Sequence, residues 1–263
     1  MMLLASLFAI LQISFSSTIQ SIQKKYPNVS ELAETSKENS EKSIIDLLSG
    51  GLEESLFQAE IVESLEFRTA VRDPRLLWED GVVPYKLSEK FGIDEQHRFL
   101  DVIAEFSEKT CIFFVPHTDE NRYLFIKPGN GCDTIIGKDP DGKRTISKLA
   151  RECFFVKPGI LLHEMMHVLG FVHEHNRPDR DKYIKVLENN IIEEKLLQFE
   201  KYSWNEVKVF NFSYDYGSVM HYGAYVFSKN GKPTIIPLKE GVKIGQREGF
   251  SSTDVIKINK LYC

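Results

Sequence analysis

His163-Glu164-Met165-Met166-His167-Val168-Leu169-Gly170-Phe171-Val172-His173 places three histidines and a glutamate within eleven residues. Positions i and i+4 of a helix share one face, so His163 and His167 can point at a single metal ion. Glu164 sits beside that face and reaches a water at the fourth metal position. Gly170 can take the left-handed conformation that ends a helix, and the turn returns His173 as a third ligand. Three protein ligands plus one open position describe a catalytic zinc site rather than a structural one. The surrounding Leu161, Leu162, Met165, Met166, Val168, Leu169 and Phe171 make this helix apolar nearly all round. Neutral imidazoles in such a setting need partners, and a metal supplies one.

Further along the chain, Ser218-Val219-Met220-His221-Tyr222 matches the Met-turn that accompanies the long zinc motif. Met220 offers a soft, apolar floor beneath a metal. His175 and His221 are not expected to be ligands, because the three motif histidines fill the available positions.

Together these residues resemble the astacin-type zinc endopeptidases, a metzincin family. The family motif HExxHxxGFxHExxRxDRDxY runs here from His163 to Tyr183, with Phe171, Glu174, Arg177, Asp179, Arg180 and Asp181 in place. Tyr214-Asp215-Tyr216-Gly217 leads into the Met-turn as in the family. Trp78 with Gly81-Val82-Val83-Pro84-Tyr85 matches the start of the catalytic domain, and Ile244-Gly245-Gln246-Arg247 and Ile258-Asn259-Lys260-Leu261-Tyr262-Cys263 match its end. The resemblance covers residues 57–263. It implies a zinc-dependent endopeptidase with one Zn2+ per chain, acting on proteins or peptides, with Glu164 as general base and Tyr222 as resting fifth ligand and oxyanion donor. The alternative is a catalytically inactive secreted homologue that acts as a binding protein. The implied fold is α+β and two-lobed. Its N-terminal lobe holds a twisted mixed sheet and two helices, the second carrying the zinc ligands, and its C-terminal lobe is mostly irregular.

Composition bounds the rest. The chain has 263 residues and a net charge of −5. The first 17 residues carry no charge, and residues 3–15 form an apolar run of signal-peptide length, too short to span a bilayer. Ser14-Phe15-Ser16 supplies a small-x-small cleavage site; the competing reading is a buried N-terminal helix. The whole charge excess lies on residues 18–68, which read as a polar, acidic propeptide. The neutral domain, residues 69–263, gives no reason to invoke nucleic acid. The chain is expected to be secreted, extracellular, not membrane-inserted and monomeric. Four cysteines fit an oxidising compartment. Sequence alone allows three pairings, and the resemblance implies Cys111–Cys263 and Cys132–Cys153. Asn28 and Asn211 begin glycosylation sequons.

The resemblance also bears on latency. Family propeptides carry a Phe-x-Gly-Asp motif whose aspartate ligates zinc. The aligned segment here is Phe57-Gln58-Ala59-Glu60. Glutamate retains an oxygen ligand but reaches one methylene further, so Glu60 is expected to block the metal. Arg68-Thr69 is the expected activation site for a trypsin-like protease, and the freed amino terminus is expected near Glu174.

Local patterning predicts strands at residues 82–87, 111–115 and 123–126. A helix capped by Asp94 and running to Lys109 should bury Phe99, Val102, Ile103 and Phe106. Residues 132–136 read as an edge strand, available to an extended substrate or simply paired. The zinc helix should begin near Gly159. A second amphipathic helix is expected at 191–202, and short strands at 225–227 and 234–236. Lys243 or Arg247 could favour acidic residues beside the scissile bond, but both read first as solvated cations.

Overall fold

The structure, a computed structural model, describes Ala70, residues 72–205 and residues 212–263. The expected signal peptide and propeptide, Asn28, Glu60, the Arg68-Thr69 bond and Asn211 lie outside the described residues.

Five strands form one sheet: β1 (Val82–Leu87), β2 (Phe113–Pro116), β3 (Tyr123–Pro128), β4 (Cys132–Thr134) and β5 (Arg144–Leu149). Their order is β2-β1-β3-β5-β4. β1, β2, β3 and β5 run parallel, and β4 pairs antiparallel with β5 at the edge. The mixed sheet is as the resemblance implied. β5 was not legible in the sequence: its inward-facing residues are Thr145, Ser147 and Leu149, two of them polar, so the usual apolar alternation is missing. Thr134 and Ser147 satisfy each other across β4 and β5, Oγ1 to Oγ at 2.7 Å.

Helix α1 (Ile93–Lys109) buries Phe99, Val102, Ile103 and Phe106, the expected stripe. Its N-cap is Gly92, not Asp94. Asp94 and Glu95 instead occupy the first turn, where a carboxylate meets the positive end of the helix dipole. Phe106 packs edge-on to Phe114 at 5.4 Å and Phe250 at 4.9 Å, locking α1 between sheet and C-terminal segment. A one-turn helix α2 (Glu152–Phe155) precedes α3 (Pro158–Val168), the zinc helix, which starts one residue before the expected Gly159. Pro158 at its first turn has no N–H to leave unpaired. Gly159 is required by close approach: a Cβ there would meet the Arg247 carbonyl oxygen at 2.4 Å.

Beyond α3 the second lobe is largely irregular, as expected. A two-stranded ribbon pairs β6 (Ile184–Val186) with β7 (Ile235–Pro237). A separate apolar cluster of Ile184, Ile191, Phe199, Tyr222, Phe227 and Ile235 forms this lobe's core. The expected helix at 191–202 is instead a 3-10 segment, Glu193–Phe199. Its C-terminal end is held by side chains from the preceding turns: His175 and Asn176 donate to Gln198 O, Asn176 also to Glu200 O, and Arg180 to Phe199 O. The expected strand at 225–227 is absent because Phe227 turns the chain at φ 56°. The chain closes with α4 (Ser252–Tyr262), begun by a reciprocal capping box between Ser251 and Asp254. Ile258 of α4 belongs to the first lobe's core together with Val219 and Met220.

Both implied disulfides are present, Cys111–Cys263 and Cys132–Cys153. The first ties the last residue to the start of β2 across a sequence separation of 152. In the chain-entropy account a loop of that size is worth about 4–5 kcal/mol. Among the described residues no helix is long and apolar enough to cross a membrane.

Candidate metal centre and its supports

The C-terminal end of α3 sets the site. Its free carbonyls are each taken up: Gly137 N–H and Gly170 N–H donate to His167 O, Trp78 Nε1–H to Val168 O and Tyr262 Oη–H to Leu169 O. Gly170, at φ 88°, turns the chain out of the helix. Phe171 N–H then bonds back to Met166 O at 3.0 Å. The turn carries the chain to His173, as the spacing predicted.

The Nε2 atoms of His163, His167 and His173 converge, separated by 3.1, 3.2 and 3.2 Å. All three rings are buried. His163 Nδ1–H donates to Val219 O at 2.9 Å and His167 Nδ1–H to Phe171 O at 2.7 Å. A carbonyl only accepts, so these bonds place the protons on Nδ1 and leave the Nε2 lone pairs facing inward. Burial, followed for His163 and His173 by the neighbouring histidines, holds both well below the ordinary imidazole range; burial lowers His167 to about 4. Neutral imidazoles are the ligating form. Two inward lone pairs and a third imidazole nitrogen at this spacing are the arrangement a shared cation satisfies. Tetrahedral zinc with Zn–N of 2.0–2.1 Å requires nitrogens about 3.3 Å apart, so the donor set fits that ion. Among the described residues this is the one His/Cys/Asp/Glu group that could hold a metal. His175 and His221 lie outside it, as expected.

Glu164 is buried on the same helix, and burial raises its carboxyl to about 7, against a lowering hydrogen bond with Thr134. A carboxylate near that value can both take and return a proton at neutral pH. Tyr222 packs on His173 with ring centroids 4.3 Å apart, and burial raises its phenol, which therefore stays protonated. Its backbone is held by His221, whose Nδ1–H donates to Tyr222 O and whose Nε2 accepts from Tyr214 Oη–H, each at 2.7 Å.

The Met-turn is held from behind. Asp254 of α4 accepts from Ser218 Oγ at 2.6 Å and Val219 N–H at 2.9 Å. Val219 O is the acceptor for His163, so α4 reaches that imidazole through a single residue. Met220 is buried, and its carbonyl accepts from Glu174 N–H at 3.1 Å. Glu174 is itself buried, with Oε1 taking Arg177 Nη1 at 2.9 Å and Asp215 N–H at 3.0 Å, and Oε2 taking Lys257 Nζ at 2.6 Å. Burial pushes this carboxyl up, but Lys257 and Arg177 outweigh it and hold it below its usual range. Ala70 bridges to Phe171, which puts the first described residue beside the end of the zinc helix.

Arg247 corrects the sequence reading. It is buried, not solvated, and donates to the carbonyls of His221 and Gln246. Burial lowers it to about 10, so it remains charged at neutral pH. It lines a cavity of about 390 Å³ beside α3, together with Ile160, Gly223, Tyr225, Val226 and the exposed Lys243. Asp254 and Lys257 were not singled out in the sequence as parts of the site. The Ser251-x-x-Asp254 capping pattern was the available signal for the first.

A family model described as Astacin, a family of peptidases, matches residues 70–263. The chain is 43% identical over 196 residues to zinc metalloproteinase nas-13 of Caenorhabditis elegans, a match spanning 74% of this chain and 43% of that protein. It is 44% identical over 201 residues to embryonic protein UVS.2 of Xenopus laevis, covering 74% of this chain and 38% of that one. It thus spans about two-fifths of the length of these curated relatives. Low choriolytic enzyme of Oryzias latipes is 40% identical over 181 residues, covering 68% and 65%. Among solved structures, high choriolytic enzyme 1, a hatching enzyme zinc-protease from the same fish, superposes with a TM-score of 0.68 at 34% identity, over 73% of this chain and 98% of that one.

Proposed function

This chain belongs to the astacin family of peptidases, and from that premise we propose that it is a secreted zinc endopeptidase made as a zymogen. The observation that carries the reading is the convergence of three buried imidazole Nε2 atoms at zinc spacing, with the Glu164 carboxyl on the same helix. His163, His167 and His173 hold one Zn2+. When bound, that ion lowers the pKa of a water and polarises a peptide carbonyl. Glu164 accepts the proton of the attacking water at its carboxylate and delivers it to the leaving nitrogen. Tyr222 donates its phenolic hydrogen to the oxyanion developing at the carbonyl. Edge strand β4 pairs with the extended substrate backbone, supported by its position at the sheet margin next to the Thr134–Glu164 contact. The cavity above Arg247 receives a substrate side chain, and Lys243 and Arg247 favour an acidic one.

Residues 1–17 are the signal peptide, 18–68 the propeptide and 69–263 the catalytic domain. Two disulfides support passage through an oxidising compartment. Glu60 blocks the metal until a trypsin-like protease cuts after Arg68, and the amino group freed at Thr69 lies near Glu174. A zymogen carrying Glu60→Ala should be active before cleavage; if it stays as silent as the parent, Glu60 is not the switch.

The direct test is Glu164→Gln. Casein hydrolysis should fall by about 10³-fold or more, as expected when general base and water activation are lost together, with zinc content unchanged. Retained turnover would exclude Glu164 as the base.

A further inference from the structure

His175 takes no part in the chemistry above, yet it is fully buried against it. It sits in the 3-10 turn directly after His173. Its ring stacks on Tyr222 with centroids 4.0 Å apart and planes at 27°, and on His173 at 5.4 Å and 25°. Phe199 and Phe227 meet the Tyr222 ring edge-on, each at 5.8 Å. The phenol thus lies in an aromatic slot with one flat wall, and His175 is that wall.

The wall is tethered. His175 Nε2–H donates to Gln198 O at 3.0 Å, which fixes the plane of the imidazole from its far side. The proton on Nε2 makes Nδ1 an acceptor, and that atom is buried without a hydrogen-bond partner. An orphaned buried acceptor is unfavourable, so hydrogen bonding alone does not account for an imidazole here. A tether on one edge and a flat face towards Tyr222 do account for it.

We propose that His175 is a positioning residue for Tyr222: its tethered ring sets the plane of the phenol and so the aim of the hydroxyl at the reacting carbonyl. The proposal rests on Tyr222 acting as the oxyanion donor. Two substitutions separate the face from the tether. His175→Phe keeps a flat ring and loses the donor; His175→Gln keeps a donor and loses the ring.

The ring stack predicts that H175Q lowers kcat about three- to tenfold with KM nearly unchanged, while H175F, which keeps the flat face and loses only the tether, lowers it by less than H175Q. Affinity for a phosphinic peptide, a tetrahedral mimic of the reacting carbonyl, should fall by the same factor in H175Q when measured by calorimetry. In a Tyr222→Phe background, H175Q should add no further loss to either quantity. The proposal is overturned if H175F falls as far as H175Q, if H175Q is parental, or if H175Q lowers the Y222F enzyme by its full factor. A parental Y222F enzyme would overturn the reading of Tyr222 itself, and the proposal with it. Should H175Q fail to fold, His175→Leu, which also removes the ring, carries the same expectations.

Discussion

Replacing Asp254 by alanine should damage the metal centre from the far side of the Met-turn. The side chain is fully buried and accepts three hydrogen bonds, from Ser218 Oγ at 2.6 Å, Val219 N–H at 2.9 Å and Ser251 N–H at 3.0 Å. Alanine strands two backbone donors and a hydroxyl. Each orphaned group costs about 1–3 kcal/mol, and Ser218 Oγ can relieve part of its share by rotating, so a total of about 3–5 kcal/mol is expected. Asparagine keeps one oxygen for the two N–H donors and turns its amide towards Ser218 Oγ, which then accepts; about 1–2 kcal/mol is expected. For a domain of this size the alanine loss corresponds to a fall in Tm of roughly 6–20 °C. Loosening Val219 also frees the carbonyl that orients His163, and removal of such an outer support typically weakens metal binding about 10- to 100-fold. Calorimetric melting with disulfides intact, and competition for zinc against a chelator of known affinity, read the two effects. An alanine variant within about 1 kcal/mol of the parent and with parental zinc affinity would refute the coupling of α4 to the metal ligands.

Other consequences can be measured on the same material. Replacing both Cys111 and Cys263 by serine should destabilise the domain by about 4 kcal/mol through the regained freedom of the unfolded chain, and an unchanged denaturation midpoint would contradict this. Gly159→Ala should cost about 1–3 kcal/mol, because the new methyl meets backbone rather than a movable side chain; a neutral effect would mean the Arg247 segment yields freely. Glu174 is held below its usual range when folded, so its contribution to stability is fully present above the unfolded carboxyl value of about 4.3 and is lost as pH falls through the lower folded value. The stability gap between the parent and Glu174→Gln should therefore be large at neutral pH and close below about pH 4 in urea titrations; a constant gap would show that the charge plays no part.

Much of this site was legible because local rules act within a few residues. His163, His167, Gly170 and His173 lie on one helix and one turn, so spacing alone predicted their convergence. The buried stripe of α1 was read correctly for the same reason, since Phe99, Val102, Ile103 and Phe106 follow one helical face. What sequence reading missed depends on distant partners. The segment 193–199 has helical periodicity, and its C-terminal end is held by the side chains of His175, Asn176 and Arg180. Strand β5 turns Thr145 and Ser147 inward, where one hydroxyl pairs with β4 and the other with the Asp139 N–H. Arg247 looks like any surface cation until tertiary structure carries it to the His221 carbonyl, and Lys257 acquires meaning only beside Glu174, far earlier in the chain.

Anomalous diffraction from crystals of the processed protein, collected across the zinc absorption edge, locates the ion assigned to His163, His167 and His173. A single strong peak per chain is expected, about 2.0–2.1 Å from each of the three Nε2 atoms, with a fourth position open towards Glu164. A peak elsewhere, or none at these nitrogens in protein that still cleaves casein, would contradict this assignment.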